Sequence, residues 1–365
     1  MRLSRLTRLV ALLLLAGVGG GARADGLLRL ANCRIVDAGG PVKAMGVNYV
    51  DGFWAYAKDG KREAYLPYLD ALSEAKIPFI RMAFGPWAND RSDAPASPLI
   101  EDFVQNRARY FERLDTFLAD LRARHIGAVL DVFWNIDPYA VHFGEPRDAR
   151  TRPDSQTAKF LNDTVAELAR RNGQDPTIWM VEFLNEGDLD IDFDRAHHTR
   201  ADLVDLLKRM AESMRAAGDH HLIDTGNSMP RPAADHLTAH AGWKSDDLGG
   251  FLHALDGETP ANLNVASVHI YPEDRAERPW DDGDVVNTLP TLVKHGRQSC
   301  KPVFIGEFGA KDPALDAAFI RGVGRSGVQM AAVWGFGRPA ADPMAIGLDP
   351  SSKALLAVIG RQGGP

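Results

Sequence analysis

The sequence lacks an excess of basic residues, and this lack excludes one group of partners. Lysine and arginine together number 42 against 49 aspartates and glutamates, which gives a formal net charge of −7. Nucleic acids and anionic membrane surfaces are bound by clustered lysines and arginines that replace counterions. We therefore expect no nucleic acid partner and no membrane surface as a partner, and a neutral substrate is favoured.

Other features are also missing or scarce. No short repeat, low-complexity tract or Pro/Gly/Ser linker divides the chain, so we expect one domain. No glycine-rich turn follows the first predicted strand, which disfavours a doubly wound dinucleotide-binding sheet. The two cysteines, Cys33 and Cys300, permit at most one disulfide. The rest of the composition, with 45% hydrophobic residues, is that of an ordinary globular protein with a sizeable core.

Residues 1–24 have the pattern of a secretory signal peptide, so the predicted domain covers residues 25–365. Arginines at positions 2, 5 and 8 precede an apolar run over residues 9–18, and an Ala-x-Ala pattern ends at Ala24. A permanent transmembrane anchor is the alternative, but the run is well short of the ~20 apolar residues that a bilayer requires. We expect a periplasmic or secreted monomer with no membrane contact after cleavage.

Eight apolar segments of strand length alternate with helical patterns along the chain. The predicted strands cover residues 43–49, 78–84, 127–134, 178–186, 221–228, 265–271, 302–309 and 330–336. Alternating strands and helices imply a parallel sheet, and strands without polar alternation are buried on both faces. The sequence therefore predicts an α/β fold of the (β/α)8 TIM barrel type, with a doubly wound open sheet as the alternative.

Residues 27–42 predict a short N-terminal β-hairpin that covers the bottom of the barrel, since Gly39-Gly40-Pro41 is a turn signal. Cys33 then lies at the bottom, and Cys300, directly before the seventh predicted strand, lies there too. An oxidising compartment allows two such thiols to pair. A Cys33–Cys300 disulfide is therefore predicted, and two separate buried thiols are the alternative.

Two of the predicted strands end in a glutamate beside a glycine. The fourth strand ends in Asn185-Glu186, and the seventh contains Glu307. These two strands face each other across the C-terminal mouth of a barrel, where catalytic residues lie. Glycoside hydrolysis requires two carboxyl groups so placed, one to protonate the leaving oxygen and one to attack the sugar or activate water. Two structural glutamates in salt bridges with Arg81 are the alternative.

Together with four further residues, this pair resembles the family 5 glycoside hydrolases, the cellulase and mannanase type within the retaining (β/α)8 glycosidases. The resemblance covers nearly all of the mature chain. The further residues are Arg81 on the second strand, His269 and Tyr271 on the sixth and Trp334 on the eighth. Residues 46–49 and the Phe-Trp pair after them resemble a less characterised cellulase-like branch. The resemblance implies a retaining endo-β-glucanase or β-mannanase, with an exo-acting β-glycosidase or an inactive saccharide-binding barrel as alternatives.

The resemblance also implies a role for each residue at the mouth. Glu186 is the general acid/base and Glu307 is the nucleophile. Arg81 and the Tyr271 hydroxyl would keep Glu307 ionised, and that charge would raise the pKa of Glu186. Asn185 would hydrogen-bond to the sugar 2-hydroxyl. We expect the two carboxyl groups to lie about 5–5.5 Å apart, as in retaining enzymes, and the substrate to be a β-linked oligo- or polysaccharide.

Aromatic residues around the mouth are expected to bind sugar rings, whose apolar faces pack on aromatic side chains. By the resemblance, Trp334 stacks under the reacting sugar. Many family members have a histidine two residues after an aspartate on the third strand, but here Phe133 takes that place, so Asp131, Trp134 or Asn135 is expected to replace it. The remaining candidates lie near strand ends or in the long loops 135–155, 229–264 and 272–290, where each could instead hold a loop in place: Phe53, Trp54, Trp87, Tyr139, His142, Trp243 and Trp280.

No metal and no cofactor are expected. The aspartates at positions 188, 190, 192 and 194 alternate, but they lack the glycine and terminal glutamate of an EF-type calcium loop. A solvated loop or an acidic wall of the cleft is favoured instead. His236 and His240 lack the glutamate of a His-Glu-x-x-His zinc motif. Because no convincing ligand set is found at strand ends, a metal-dependent hydrolase is disfavoured. Glu182 shares the inward parity of Glu186 and is expected to be a structural polar residue deeper in the barrel.

Overall fold

A computed structural model describes residues 26–86, 98–191, 198–271 and 285–363. The predicted signal peptide lies outside these ranges, as do Trp87, Trp280, Asp192 and Asp194. The division into a signal peptide and one domain therefore remains a prediction.

Eight parallel strands form the barrel, and each lies within a segment that was predicted as a strand. After three short N-terminal strands, β1 to β3, the barrel strands are β4 (Ala44–Asn48), β5 (Phe79–Ala83), β6 (Gly127–Phe133), β7 (Ile178–Leu184), β8 (Leu222–Asp224), β9 (Ala266–Ile270), β10 (Val303–Phe308) and β11 (Met330–Val333). They pair in the order β8-β7-β6-β5-β4-β11-β10-β9, and a single parallel bridge between Asp224 and Val265 joins the two ends. The predicted α/β barrel is confirmed.

The barrel closes less tightly between β8 and β9 than elsewhere. The Val265 amide donates to the Ile223 carbonyl at 3.2 Å, and the Ile223 amide donates to the Asn264 side chain at 3.0 Å. A side chain thus replaces part of the backbone ladder. The strand β8 is only three residues long, shorter than the predicted segment 221–228, because residues 225–228 turn away to form part of the mouth.

Helices surround the barrel. They are α1 (Val50–Asp59), α2 (Leu66–Glu74), α3 (Pro98–Gln105), α4 (Arg107–Ala123), α5 (Asp137–His142), α6 (Gln156–Asn172), α7 (Arg200–Ala216), α8 (Ala234–Thr238), α9 (Leu248–Gly257), α10 (Val285–Gln298), α11 (Pro313–Arg325) and α12 (Pro350–Gly360). A capping box between Thr199 and Asp202 starts α7, whose buried side has the expected i, i+3, i+4 spacing. Helices α5, α8 and α9 lie in stretches predicted as loops. None of the described helices is long and apolar enough to cross a membrane.

The bottom of the barrel is an apolar plug under a small antiparallel sheet. That sheet consists of β1 (Arg29–Ala31), β2 (Arg34–Asp37) and β3 (Gly40–Pro41), one short strand more than the predicted hairpin. Leu28 and Ile35 pack from it onto the ring of Phe79, which lies 5.4 Å from the Trp179 ring. A Cβ at Gly127 would lie 2.3 Å from the Trp179 indole nitrogen, so only glycine leaves room for this tryptophan.

Cys33 and Cys300 form a disulfide at this end of the molecule, as predicted. Cys33 lies in the turn between β1 and β2, and Cys300 lies between α10 and β10. The bond links positions that are 267 residues apart in sequence. It therefore ties the N-terminal sheet to the barrel and closes a loop that includes most of the described chain.

Candidate active site

Glu186 and Glu307 meet at the C-terminal mouth, as the pattern of strand ends predicts. Glu307 belongs to β10, and Glu186 follows β7 after one intervening residue. The side chain of Glu186 is 29% exposed, whereas Glu307 is only 6% exposed. A carboxylate oxygen of each residue and a ring nitrogen of His269 all lie within 4.8 Å of one another. The two carboxyl groups therefore face the same space at the mouth.

The backbone at Glu186 is held in an unusual conformation. Its φ and ψ angles are 50° and 36°, in the left-handed region that few non-glycine residues adopt. The Glu186 amide donates to the Gly226 carbonyl at 2.7 Å, which fixes this turn. Gly226 itself has φ of 66°, and a Cβ there would lie 1.8 Å from the Leu184 carbonyl oxygen. The strained turn aims the Glu186 carboxyl into the mouth, and strain of this kind is common at functional sites.

Arg81 is the centre of the hydrogen-bond network. From β5 it donates through Nη1 to Glu307 Oε1 at 2.7 Å and to Asn48 Oδ1 at 2.9 Å, and through Nη2 to Asn185 Oδ1 at 2.6 Å. Its Nε and Nη2 atoms also pair with the carboxylate of Glu182. Arg81 is fully buried. Burial alone would lower its pKa, but the charges of Glu182 and Glu307 raise it well above the ordinary value, so the guanidinium stays charged.

His269, on β9, lies between the two glutamates. Its Nδ1 is 2.9 Å from Glu186 Oε1 and 3.6 Å from Glu307 Oε2. Burial works to raise the pKa of Glu186, but the hydrogen bond with His269 and the charge of Arg81 outweigh it, so the net pKa lies below the ordinary value. The pKa of His269 is raised, because the Glu307 charge and the Glu186 hydrogen bond outweigh burial.

The predicted rise in the pKa of Glu186 is therefore wrong for this arrangement. The rise was expected from the charge of Glu307 alone, but His269 lies between the two carboxyls. No periodicity brings position 269 beside position 186; only the closure of the barrel does so. Both shifts favour a proton on His269 over a proton on Glu186.

Tyr271 contacts Glu307 as expected. Its hydroxyl donates to Glu307 Oε2 at 2.8 Å, while Arg81 holds the other oxygen. Burial and the charge of Glu307 raise the pKa of Tyr271 well above its ordinary value, so the phenol keeps the proton that it donates. Two donors thus fix the orientation of the Glu307 carboxylate.

Two of the predicted aromatic residues form a wall at the mouth. The rings of Trp134 and Trp334 are 6.2 Å apart, and the Arg81 guanidinium lies 5.5 Å from the centre of the Trp134 ring. Both tryptophans are half-buried, and the Arg338 guanidinium lies 5.7 Å from the centre of the Trp334 ring. Asp131, one of the residues expected to replace the missing histidine, is fully buried and cannot touch a sugar.

Two other aromatic candidates have the structural role that was left open as the alternative, and Trp54 as a substrate-binding residue stays a prediction. Phe53 and Tyr139 are completely buried and pack in the core, since residues 50–59 and 137–142 are helical and turn these side chains inward. Trp54 packs against Phe53 and Tyr110, and its indole nitrogen is buried among apolar groups. It does not join the hydrogen-bonded cluster. Trp243, by contrast, is 63% exposed.

The acidic segment after Glu186 is only partly a solvated loop. Asp188 is buried, and its Oδ1 accepts from the Ser228 amide at 2.7 Å. Burial raises its pKa to about 7. Asp190 instead pairs with Arg147 at 3.2 Å and borders a solvent-open cleft of about 210 Å³, which Trp134, Asn185, Glu186 and His198 also line. Asp190 thus belongs to a wall of the cleft, as one of the sequence alternatives expected.

His198, which lines the same cleft, is a buried histidine without hydrogen-bond partners in the described part of the chain. It is 5% exposed, and neither ring nitrogen has a hydrogen-bond partner among the described residues. Burial and the nearby Arg150 lower its pKa to about 4, so the imidazole is neutral at ordinary pH. A neutral imidazole offers one donor and one acceptor, which suits a hydroxyl group. In the sequence His198 directly follows His197, and an adjacent histidine pair is a poor chelate, so the sequence did not mark His198 as a site residue.

One group among the described residues has the geometry to hold a metal ion, namely Glu186, His269 and Glu307. The sequence analysis missed this set because its members come from three separate strand ends. Arg81 lies 2.7 Å from Glu307, and a fixed positive charge there opposes binding of a second cation. The same three groups are those that an acid/base and nucleophile pair would use.

A (β/α)8 barrel whose mouth holds two facing glutamates beside a buried arginine is the architecture of a glycoside hydrolase. The family model described as "Cellulase (glycosyl hydrolase family 5)" matches residues 37–320, and the chain belongs to this family. The protein is therefore a glycoside hydrolase, and the resemblance seen in the sequence is confirmed.

Solved structures with the same fold share little sequence with this chain. An endo-1,4-β-mannanase from Rhizomucor miehei is 15% identical, with a TM-score of 0.65 over 92% of this chain and 98% of the mannanase. A family 5 subfamily 18 protein from Streptomyces cattleya, in complex with GlcNAc, is 16% identical, with a TM-score of 0.62 over 88% of this chain and 80% of that protein. A tri-modular endo-β-1,4-glucanase from Bacillus licheniformis is 17% identical, with a TM-score of 0.53 over 88% of this chain and 60% of the glucanase. No curated protein matches the chain.

Proposed function

We propose that the protein is a retaining β-glycosidase that cleaves β-linked gluco- or manno-configured oligo- or polysaccharides by double displacement. The observation that carries this proposal is the pair Glu186 and Glu307, with carboxylate oxygens within 4.8 Å and clearly different surroundings. Glu307 is held by Arg81 and Tyr271, which suits a nucleophile. Glu186 is more exposed and is bonded to His269, which suits an acid/base.

In the first step, a Glu307 oxygen attacks the anomeric carbon as the bond to the leaving oxygen breaks, and that oxygen takes a proton from Glu186. The 2.9 Å contact between Glu186 and His269 gives this proton a direct route between the two side chains. In the second step, Glu186 removes a proton from water, which attacks the same carbon and releases Glu307. Two inversions give net retention.

Substrate recognition follows from the groups around the pair. Asn185 is oriented by Arg81 and would bind the 2-hydroxyl of the reacting sugar, while Trp334 and Trp134 would pack on its apolar face. Asp190 and the neutral His198 would bind hydroxyls beside Glu186. Endo action is our preference over exo action, and a periplasmic or secreted location follows from the signal-peptide pattern.

The proposal is tested with wild type and Glu186→Ala on β-1,4-glucan, β-mannan and the corresponding aryl β-glycosides. We expect wild-type hydrolysis with the metal chelator EDTA present. Glu186→Ala should lose about 10²–10⁴-fold on polysaccharides, whose leaving groups need a proton. Its loss of activity on dinitrophenyl glycosides should be much smaller, because these leaving groups depart without a proton. Azide should restore the turnover of Glu186→Ala by forming a β-glycosyl azide.

The exposed Glu63 provides the matched control, since Glu63→Ala removes the same side chain at a position that does not line the cleft. Equal losses of Glu186→Ala on all leaving groups would contradict the acid/base role. Activity abolished by EDTA and restored by a divalent metal would instead favour a metal bound by Glu186, His269 and Glu307. Binding of saccharides without turnover would favour the inactive barrel.

A further inference from the structure

Glu182 lies directly beneath the mouth and touches no position that a sugar can reach. It is on β7, four residues before Glu186, and is fully buried. Its Oε1 and Oε2 each accept from Arg81 Nε at 3.1 Å, and Arg81 Nη2 bonds to the same carboxylate. One side of the guanidinium is therefore held by Glu182. The remaining donors of Arg81 are aimed at Glu307, Asn185 and Asn48.

Two more carboxyl groups lie beside Glu182 at the same level of the barrel. In the register of the sheet, Asp131 on β6 and Asp224 on β8 are the direct neighbours of Glu182, and both are fully buried. Among the described residues, Arg81 donates to neither of them. No side chain among the described residues donates to Asp131. Asp224 Oδ1 accepts from the Gly226 amide at 2.7 Å, and the Asp224 carboxyl also hydrogen-bonds with Glu182.

These three carboxyl groups are thus not equivalent. Burial first, and the charge of Glu182 second, raise the pKa of both Asp131 and Asp224 well above ordinary values. Burial thus favours the neutral form of both aspartates, which have no cation in direct contact among the described residues, whereas Glu182 is in direct contact with the Arg81 guanidinium. A buried ion is tolerated when it is paired, and a buried acid without a cation stays neutral.

We propose that Glu182 is a positioning residue for the reaction: by pairing with Arg81 it fixes the guanidinium and cancels part of its charge, which sets the orientation and basicity of Glu307. The proposal rests on the assigned role of Glu307 as nucleophile. The charged or titratable groups that face Glu307 are Arg81 from β5, His269 from β9, Tyr271 beyond β9 and Glu186 beyond β7. Those that face Glu182 are Arg81, Asp131 and Asp224.

The sign of the effect follows from charge. In Glu182→Gln, the Arg81 guanidinium loses its second anionic partner and acts on Glu307 with its full charge. This favours the ionised form of Glu307, so the acid limb of the pH profile of kcat/KM should move to lower pH, by about one unit. A carboxylate that is more strongly held is a weaker nucleophile and is less well oriented. We expect kcat to fall about tenfold to a hundredfold while KM changes little.

Asp131→Asn is the matched control, because it alters a carboxyl group on the neighbouring strand with the same complete burial. Because burial favours the neutral form of that group and it makes no hydrogen bond to Arg81, the acid limb should stay in place. Glu182→Asp separates the two parts of the proposal: it keeps the charge but withdraws the carboxylate from Arg81. We expect kcat to fall in this variant while the acid limb remains near its wild-type position.

A second readout does not depend on turnover. In protein labelled with ¹³C at the glutamate carboxyl carbons, the Glu307 signal is assigned by its loss in Glu307→Gln. Its titration midpoint should move to lower pH in Glu182→Gln and stay in place in Asp131→Asn. If Glu182→Gln does not fold, Glu182→Asp decides: a tenfold loss of kcat at constant KM supports positioning, and full activity overturns it. If the titration midpoint of Glu307 does not move in folded Glu182→Gln, the proposal is overturned, even if the wild type hydrolyses nothing. If the midpoint moves but the wild type shows no turnover, only the proposed function is refuted.

Discussion

At the bottom of the barrel, the inward side chains are Phe79, Trp179 and Phe304 with their apolar neighbours, capped by a sheet that a disulfide ties down. At the top of the same strands, the inward side chains are charged and hydrogen-bonded. Phe79 and Arg81 are two residues apart on β5, yet one lies in an apolar plug and the other contacts two carboxylates. The bottom gains free energy from burial, while the top retains buried ions that cost free energy unless paired.

The apolar packing that stabilises the barrel and the charged groups of the candidate active site therefore lie at opposite ends of the same strands. Charged groups concentrate where the barrel opens to a substrate, and every ion there is positioned by another: Glu182 holds Arg81, and Arg81 holds Glu307. At the bottom, the plug around Phe79 is apolar, and the buried pair of Asp219 and His221 beside the start of β8 lies outside that plug. Substitutions at the bottom should therefore change the free energy of unfolding without changing catalysis, whereas substitutions at the top should change catalysis.

The largest effect at the bottom is expected for Phe79→Ala. This ring is fully buried against Trp179 and Phe304, so its removal should lower the free energy of unfolding by about 3–5 kcal/mol. Guanidinium denaturation measures this loss. The kcat of the folded protein should stay within about twofold of wild type, because the neighbouring Arg81 is held by its own partners. A fall in kcat as large as that of Glu182→Gln would show that the two ends are not separable.

A smaller effect is expected for the double variant Cys33→Ser/Cys300→Ser. The disulfide restricts the unfolded chain over a loop of 267 residues, and its loss should lower the free energy of unfolding by about 2–4 kcal/mol. Denaturation without reductant measures this loss. Wild type with reductant should match the variant, which should itself be insensitive to reductant. Reduced activity in the folded double variant would again break the separation between the two ends.

Much of the fold could be predicted because the barrel strands are apolar runs buried on both faces. The segments around Phe79, Val129, Val181 and Ile305 have no polar alternation, which is typical of parallel strands. The two glutamates were found for the same reason, since each interrupts the end of such a run. Knowing which strands face each other then predicted that Glu186 and Glu307 would meet.

Contacts that depend on side-chain direction could not be predicted in the same way. Phe53 and Trp54 follow β4 immediately, and only the helical turn of α1 decides that they point into the core. His269 is on a predicted strand, but its position between two carboxyls depends on the closure of the barrel. The pairing of Glu182 with Arg81 likewise joins residues 101 positions apart. Such contacts join residues that are distant in the sequence, so local sequence periodicity does not predict them.

The central claim is that Glu307 forms a covalent bond to the sugar, while Glu186 donates a proton to the leaving oxygen and then removes one from water. The most direct test is mass spectrometry of the protein after reaction with 2-deoxy-2-fluoro-β-glucosides and -mannosides that carry a good leaving group, since the fluorine slows breakdown of a glycosyl-enzyme. We predict an added mass of one fluoroglycosyl unit, located on Glu307 by peptide fragmentation and lost on incubation with a sugar acceptor. Turnover of the matching 2-hydroxy glycosides with no label, or with the label on any residue other than Glu307, would contradict the account.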